Sequence, residues 1–127
     1  MPDKQLYEYA VIRVVPRVER EEFLNVGLIL FCKRARKIHV RFEVDHTRLA
    51  TLFPQIDLVQ LRHNLDAFVK IAHGMKTGGP IAQFEVAERF RWLTAIRSSV
   101  IQTSRPHPGL CRDLDNTFER LFTELVL

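Results

Sequence analysis

The sequence predicts an α+β fold: a mostly antiparallel sheet of about four strands with helices packed on one face, in a single domain over residues 1–127. Three observations predict it. The first 44 residues divide into three segments rich in β-forming residues, LYEYAVIRVVP, EFLNVGLILFC and KIHVRFEV. Their even-numbered positions are apolar over Ala10–Val14, Leu24–Leu30 and Ile38–Val44, which gives a sheet one face in need of cover. Most of the rest repeats apolar residues at spacings of three and four, the period of helices able to supply that cover.

The strand meander occupies residues 6–44. Its first segment, Leu6–Pro16, ends at a proline, the second is Glu22–Cys32, and the third, Lys37–Val44, alternates with period two. With Val15 facing Phe23 and Cys32 facing Ile38, one face collects Ala10, Ile12, Val14, Leu24, Val26, Leu28, Leu30, Ile38, Val40, Phe42 and Val44. A slip of one residue in any strand destroys that agreement. The other face is mixed. It holds Tyr7, Tyr9, Val11, Val15, Phe23, Ile29 and Phe31, interrupted by Arg13, Asn25, Gly27, His39, Arg41 and Glu43. Gly27 would lie opposite Val11 and Glu43, and a strand glycine marks a bulge or a close approach. This second face is either half-covered by chain or a surface for something else.

Residues 45–96 read as helical. DHTRLATLF is a short helix capped by Asp45, and a longer one starts at Asp57 with an apolar stripe of Leu58, Leu61, Leu65, Phe68, Ala72 and Met75. KTGGP stops it, and a further helix covers Phe84 to Ala95. Residues 97–112 read as a fourth strand, RSSVIQTS, and a loop, RPHPG. Asp113 then caps a helix over 113–127 with Leu114, Phe118, Leu121, Phe122 and Leu125 inward.

Composition narrows the function classes. At 46% hydrophobic and 27% charged, the chain is an ordinary globule with enough residues to bury a core. MPDKQLYEY lacks the apolar run of a secretory signal, and no stretch approaches the ~18 apolar residues that span a bilayer. Two cysteines, Cys32 and Cys111, make no disulfide scaffold. A cytoplasmic protein without a membrane role is the expectation. The net charge of +4 permits an acidic partner without requiring nucleic acid.

Candidate chemistry gathers in three places. Arg13, Asn25, Arg41 and Glu43 form a polar patch within a rim of Tyr7, Tyr9, Phe23 and Phe31, and arginines with aromatics are what interfaces favour. Around the fourth strand, Arg97, Ser98, Gln102, Ser104, Arg105 and His107 could line a pocket at a strand end, with Arg97 and Arg105 gripping an anion. In the plainer reading their hydroxyls and amides satisfy local backbone groups, and Pro106 to Gly109 form a turn. A Ser104–His107–Asp113 hydrolase lacks a nucleophile elbow. The third place is KRARK, with Lys33, Arg34, Arg36 and Lys37 at a hairpin tip, a shape that can straddle a phosphate backbone. Its plainer role is to discourage edge pairing. The five histidines show no i, i+4 pair and no C-x-x-C partner, so neither a metal nor a cofactor is expected.

Two blocks carry a family resemblance. YEYAVIRVVPRVEREEFLNVGLILFC, residues 7–32, resembles the opening signature of a bacterial family, domain of unknown function 3037. RFRWLTAIRSSVIQTSRPHPGLCRDLDNTFERLFTELV, residues 89–126, is similar to its closing signature. The resemblance implies a small bacterial cytoplasmic protein with no assigned activity. It also implies a protein partner, a kinase-like protein of the toxin–antitoxin type encoded nearby. The chain departs from the family pattern at Ile96, where a proline is usual, and at Pro108, where a threonine is usual. The second departure removes a hydroxyl from beside His107.

The expected function is a non-catalytic protein-interaction module using the second sheet face and the loop around His107: Tyr9, Arg13, Asn25, Arg41, Glu43, Arg97, Gln102, Ser104 and His107. A homodimer through that face would also hide its aromatics. The alternative is nucleic-acid binding, with or without nucleolysis, through Lys33–Lys37. A small enzyme acting on an anionic ligand comes third.

Overall fold

The three β-rich segments form an antiparallel meander in the computed structural model, which describes residues 3–95 and 99–127. Strand β1 is Gln5–Val14, β2 is Leu24–Cys32 and β3 is Lys37–Phe42. Helices α1 (His46–Leu52), α2 (Leu58–Ala72) and α3 (Val86–Leu93) follow. Two short strands, β4 (Ile101–Thr103) and β5 (His107–Cys111), precede the last helix, α4 (Leu114–Leu125). The strand order is β3-β2-β1-β4 with β5 also on β1, and every pairing is antiparallel. The α+β class and the antiparallel sheet are as expected, with five strands among the described residues rather than about four.

The register of the meander needs a correction. Near the first turn Val14 pairs with Leu24 and Arg13 with Asn25, consistent with Val15 facing Phe23. Past that point the pairing steps by one residue, so that Ile12 meets Gly27 and Ala10 meets Ile29. Val26 is the extra residue, a β-bulge, and β2 side chains beyond it change face. On the other side Cys32 pairs with Lys37 instead of Ile38, which sets Ile38, Val40 and Phe42 opposite Phe31, Ile29 and Gly27. The two offsets cancel. β1 and β3 keep their even residues on the first face, while β2 contributes Leu24, Val26, Ile29 and Phe31 there and turns Leu28 and Leu30 to the second. The alternation could not report this, because β2 is apolar at nearly every position and buried on both sides.

Gly27 therefore lies opposite Ile12 and Phe42, not Val11 and Glu43. The close approach it signalled is real: an added Cβ would sit 2.6 Å from the Phe42 ring and 2.7 Å from the Arg41 carbonyl oxygen.

Helices α1 to α3 cover the first face, burying Leu49, Leu61, Leu65, Phe68, Ile71, Phe90 and Leu93 against it. Asp45 and Asp57 cap α1 and α2 by accepting the Arg48 and Gln60 amides at 3.0 Å. Helix α2 stops before KTGGP, where Gly74 takes a left-handed φ of 66°.

The layering is the second correction. Helix α4 lies on the opposite face, so helices cover both sides of the sheet. Its Leu114, Phe118, Leu121, Phe122 and Val126 bury Tyr7, Val11, Leu28, Leu30 and Cys32. Leu28 and Leu30 take the places on that face that Ile29 and Phe31 were expected to hold, and with Tyr7 and Val11 they give the helix its apolar footing. The expected aromatic rim is dispersed by the same flip: Phe31 stacks on Phe90 in the first layer, with ring centroids 5.0 Å apart.

The RPHPG segment, expected as a loop, opens strand β5. Thr103 lies opposite Ile12 and His107 opposite Tyr9, so β4 and β5 flank β1 as one broken strand with one extra residue between them. Pro108 is tolerated because β5 pairs with β1 alone. Gly109 is required because the Tyr7 ring occupies the space of a side chain there.

Candidate functional site

The registers gather most of the predicted residues on the second face. Tyr9 and Arg13 on β1 share it with Asn25 and Arg41, and with Gln102, Ser104 and His107 on the β4–β5 flank. Helix α4 crosses this face over β2 and divides the set. Arg41 lies on its β3 side, with Glu43 just beyond the strand. Asn25 sits under its C-terminal end. Tyr9, Arg13, Gln102, Ser104 and His107 form a separate strip along β1. Arg97 lies outside the described residues.

On the β3 side, the chemistry seats the helix. The Arg41 guanidinium donates to both Glu119 carboxylate oxygens at 2.9 Å and stacks 4.0 Å from the Phe122 ring centroid. That hydrogen bonding holds the Glu119 carboxyl below its ordinary range. His39, on the same strand, has Nδ1 3.7 Å from Asp115 and its ring 5.6 Å from Phe118. Burial lowers the His39 pKa, against the pull of the Asp115 charge, because imidazolium is costly to desolvate. Asn25 Nδ2 donates to the Leu125 carbonyl at 3.1 Å, satisfying a helix-end acceptor. The Glu43 side chain is exposed and has no ion pair among the described residues; its backbone N–H donates to the Val26 carbonyl at 2.8 Å.

Along the strip the hydroxyls and amides serve the backbone. The buried Ser104 Oγ accepts the Val11 N–H at 2.8 Å and donates to the Arg105 carbonyl at 3.2 Å. Its only proton is thus engaged away from His107, which is not the arrangement of an activated nucleophile. Gln102 Nε2 donates to the Ser99 carbonyl at 2.9 Å, and Ser99 Oγ to the Ile101 carbonyl at 2.5 Å. What remains on the strip faces outward. The exposed His107 ring lies 5.3 Å from the ring of Tyr9. Arg13 stacks 4.1 Å from the ring centroid of Phe23, which is 46% exposed. No carboxylate pairs with Arg13 among the described residues, and its Nε is buried without a partner, as is Asn25 Oδ1.

Lys33, Arg34, Arg36 and Lys37 are exposed at the β2–β3 tip, where Arg34 lies 4.0 Å from Asp3. Among the described residues no group of three His, Cys, Asp or Glu side chains is placed to hold a metal ion, and no helix is long and apolar enough to cross a membrane. Sequence reasoning missed a cleft of about 520 Å³ between the β1–β2 turn, the α1–α2 loop and Val100, floored by Phe53, Ile56 and Leu61. Its arginines, Arg17 and Arg20, are engaged by Glu19 at 2.8 Å and Glu22 at 2.5 Å. No periodicity signals such a cleft, because it arises where two irregular segments meet.

The chain matches, over residues 9–126, the family described as a protein of unknown function (DUF3037). The match runs through the helical middle as well as the two blocks that carry the resemblance. Among curated proteins and among solved structures, nothing matches the chain.

Proposed function

We propose, from the premise that the chain belongs to the DUF3037 family of proteins of unknown function, that it is a non-catalytic protein-interaction module. Its contact surface in this reading is the strip Tyr9, Arg13, Gln102 and His107, with Phe23 as a shelf. The observation that carries the reading is Arg13: a half-buried guanidinium, stacked on an exposed phenylalanine, with no acid beside it. Nε itself is closed to solvent, but a carboxylate arriving from another protein would pair with the terminal nitrogens of this guanidinium, which have no acid of their own among the described residues.

Two further features support it. Arginine with tyrosine and phenylalanine is a composition that interface cores favour, and arginine and tyrosine are among the usual hot-spot residues. The outer edge of the flank is poorly suited to adding a strand, because Ser99 and Gln102 occupy backbone carbonyls and Pro108 has no N–H. A partner is therefore taken on the face. In this proposal the partner is acidic where it meets Arg13, the setting is the bacterial cytoplasm, and the kinase-like neighbour implied by the family resemblance is the first candidate.

The test is capture from nuclease-treated native lysate, with purified kinase-like neighbour as a second bait-free arm. Wild-type protein is compared with Arg13→Ala and with Glu43→Ala, which lies on the far side of α4. A protein retained by wild type and Glu43→Ala but lost by folded Arg13→Ala is the expected result. Equal retention by all three would sink the assignment of the strip.

A further inference from the structure

One end of the sheet is basic, and it holds more than the hairpin seen in the sequence. Gln5 pairs with Cys111, which brings Lys4 and Arg112 to the end where Cys32 pairs with Lys37. Lys4, Lys33, Arg34, Arg36, Lys37 and Arg112 are all exposed there. They are distributed over four neighbouring strand positions, three spacings of ~4.8 Å, or about 14 Å across. Asp3, Asp113 and Asp115 stand at this end as well and leave it net positive, with only Asp3 paired, among the described residues, with one of the six cations. Asp3 lies 4.0 Å from Arg34, Asp113 accepts the Asn116 amide as the α4 cap, and Asp115 faces His39. At the tip, Arg36 has a left-handed φ of 52°, a conformation that favours glycine. The opposite turn repeats the geometry at Glu21, with a φ of 55°, but there Arg17 and Arg20 pair with Glu19 and Glu22 and its charge is nearly balanced.

We propose that this basic end of the sheet binds the phosphate backbone of a nucleic acid. A row of cations across strand ends suits a line of phosphates, and the sequence retains an arginine where the backbone would prefer no side chain. Arg41, farther along β3, takes no part: it is engaged by Glu119 under α4. No aromatic ring stands among these six residues to stack on unpaired bases, so the contacts assigned to them are to phosphate. This site is separate from the strip that carries the proposed protein interaction.

The experiment is fluorescence anisotropy with the full chain, a labelled 20-base-pair duplex and a 20-nucleotide single strand, between 50 and 200 mM salt. With about five phosphates contacted, binding should weaken roughly 500-fold over that range for the duplex and roughly 130-fold for the single strand. The double variant Arg34→Glu/Arg36→Glu should bind at least tenfold more weakly at 50 mM with a shallower salt dependence, and Lys4→Glu/Arg112→Glu should do the same through different elements. Arg13→Ala should bind as wild type does, which keeps this inference separable from the protein-interaction reading. No binding at 50 mM, or wild-type binding by both charge-reversed variants, would overturn it. So would preferential binding, at equal phosphate, to vesicles containing one-third phosphatidylserine. Leu6 and Leu110, 58% and 62% exposed beside Lys4 and Arg112, would give a lipid surface its apolar footing.

Discussion

Ser104 joins β4 to β5, and its hydroxyl stands where a ladder acceptor would be. Replacing it by alanine leaves the Val11 N–H buried without a partner, so Ser104→Ala should cost about 1–3 kcal/mol. A urea midpoint that falls with an unchanged slope is the expected reading, and an unchanged midpoint would refute the role. His39 makes stability depend on pH. Its pKa lies below the ordinary 6.5 in the folded chain, so the unfolded chain takes up the proton first. Its contribution is complete above about 6.5 and is lost as pH falls toward the lower folded value. Glu119, also lowered, adds a loss in the same direction below its ordinary 4.5. Between pH 7 and 5 the wild type should therefore lose more stability than His39→Gln; parallel curves would show that burial of this ring does not matter. At this scale the sequence was legible where a residue acts on its neighbours. The aspartate caps are read from three-residue spacings, and Gln102 and Ser99 serve carbonyls close by. Asn25 and Arg41 were recognisable as polar intrusions, but their partners, Leu125 and Glu119, lie 100 and 78 residues away. Spacing cannot reveal such a pair.

Helix α4 is the element that decides what the second face can do. Phe122, almost fully buried between the helix and the sheet, should cost about 3–5 kcal/mol on replacement by alanine. Arg41→Lys tests the clamp without removing charge, because an ammonium neither forks onto Glu119 nor stacks flat on Phe122. Faster amide exchange confined to α4 is the expected outcome, and unchanged exchange there would assign Arg41 no role in seating the helix. Gly27→Ala should lose about 1–3 kcal/mol by overpacking against Phe42 and the Arg41 carbonyl. The helices were legible because each has a cap and an apolar stripe. The face that α4 covers was not, since Arg13, Asn25 and Arg41 interrupt its apolar residues and the helix that returns to it lies far along the chain. Gly27 signalled a bulge or a close approach, but a strand apolar at nearly every position does not show which of its side chains change face. Strand β5 escaped notice for a different reason: proline and glycine signal turns, and here an edge position and the Tyr7 ring make them compatible with a strand.

Taken as a whole, the molecule is a sheet between two helical layers with a strip of its second face left uncovered. The even-residue pattern of β1 and β3 was enough to predict the class, because two one-residue offsets cancel across β2. It could not predict which polar residues would be consumed in holding α4 and which would remain available. Of the nine residues proposed from sequence, Asn25 and Arg41 serve the helix and Ser104 the backbone; Tyr9, Arg13 and His107 keep outward-facing groups. The homodimer expected to hide exposed aromatics loses part of its motive, since Tyr7 and Phe31 are already buried within the chain. The central claim is that a protein partner sits on that strip. Amide hydrogen exchange of the chain alone and in its captured complex tests this most directly. The account predicts slowed exchange in Tyr9–Arg13 and in 101–107, with β3 unchanged. Protection confined to Lys37–Phe42, or to α4, would contradict it.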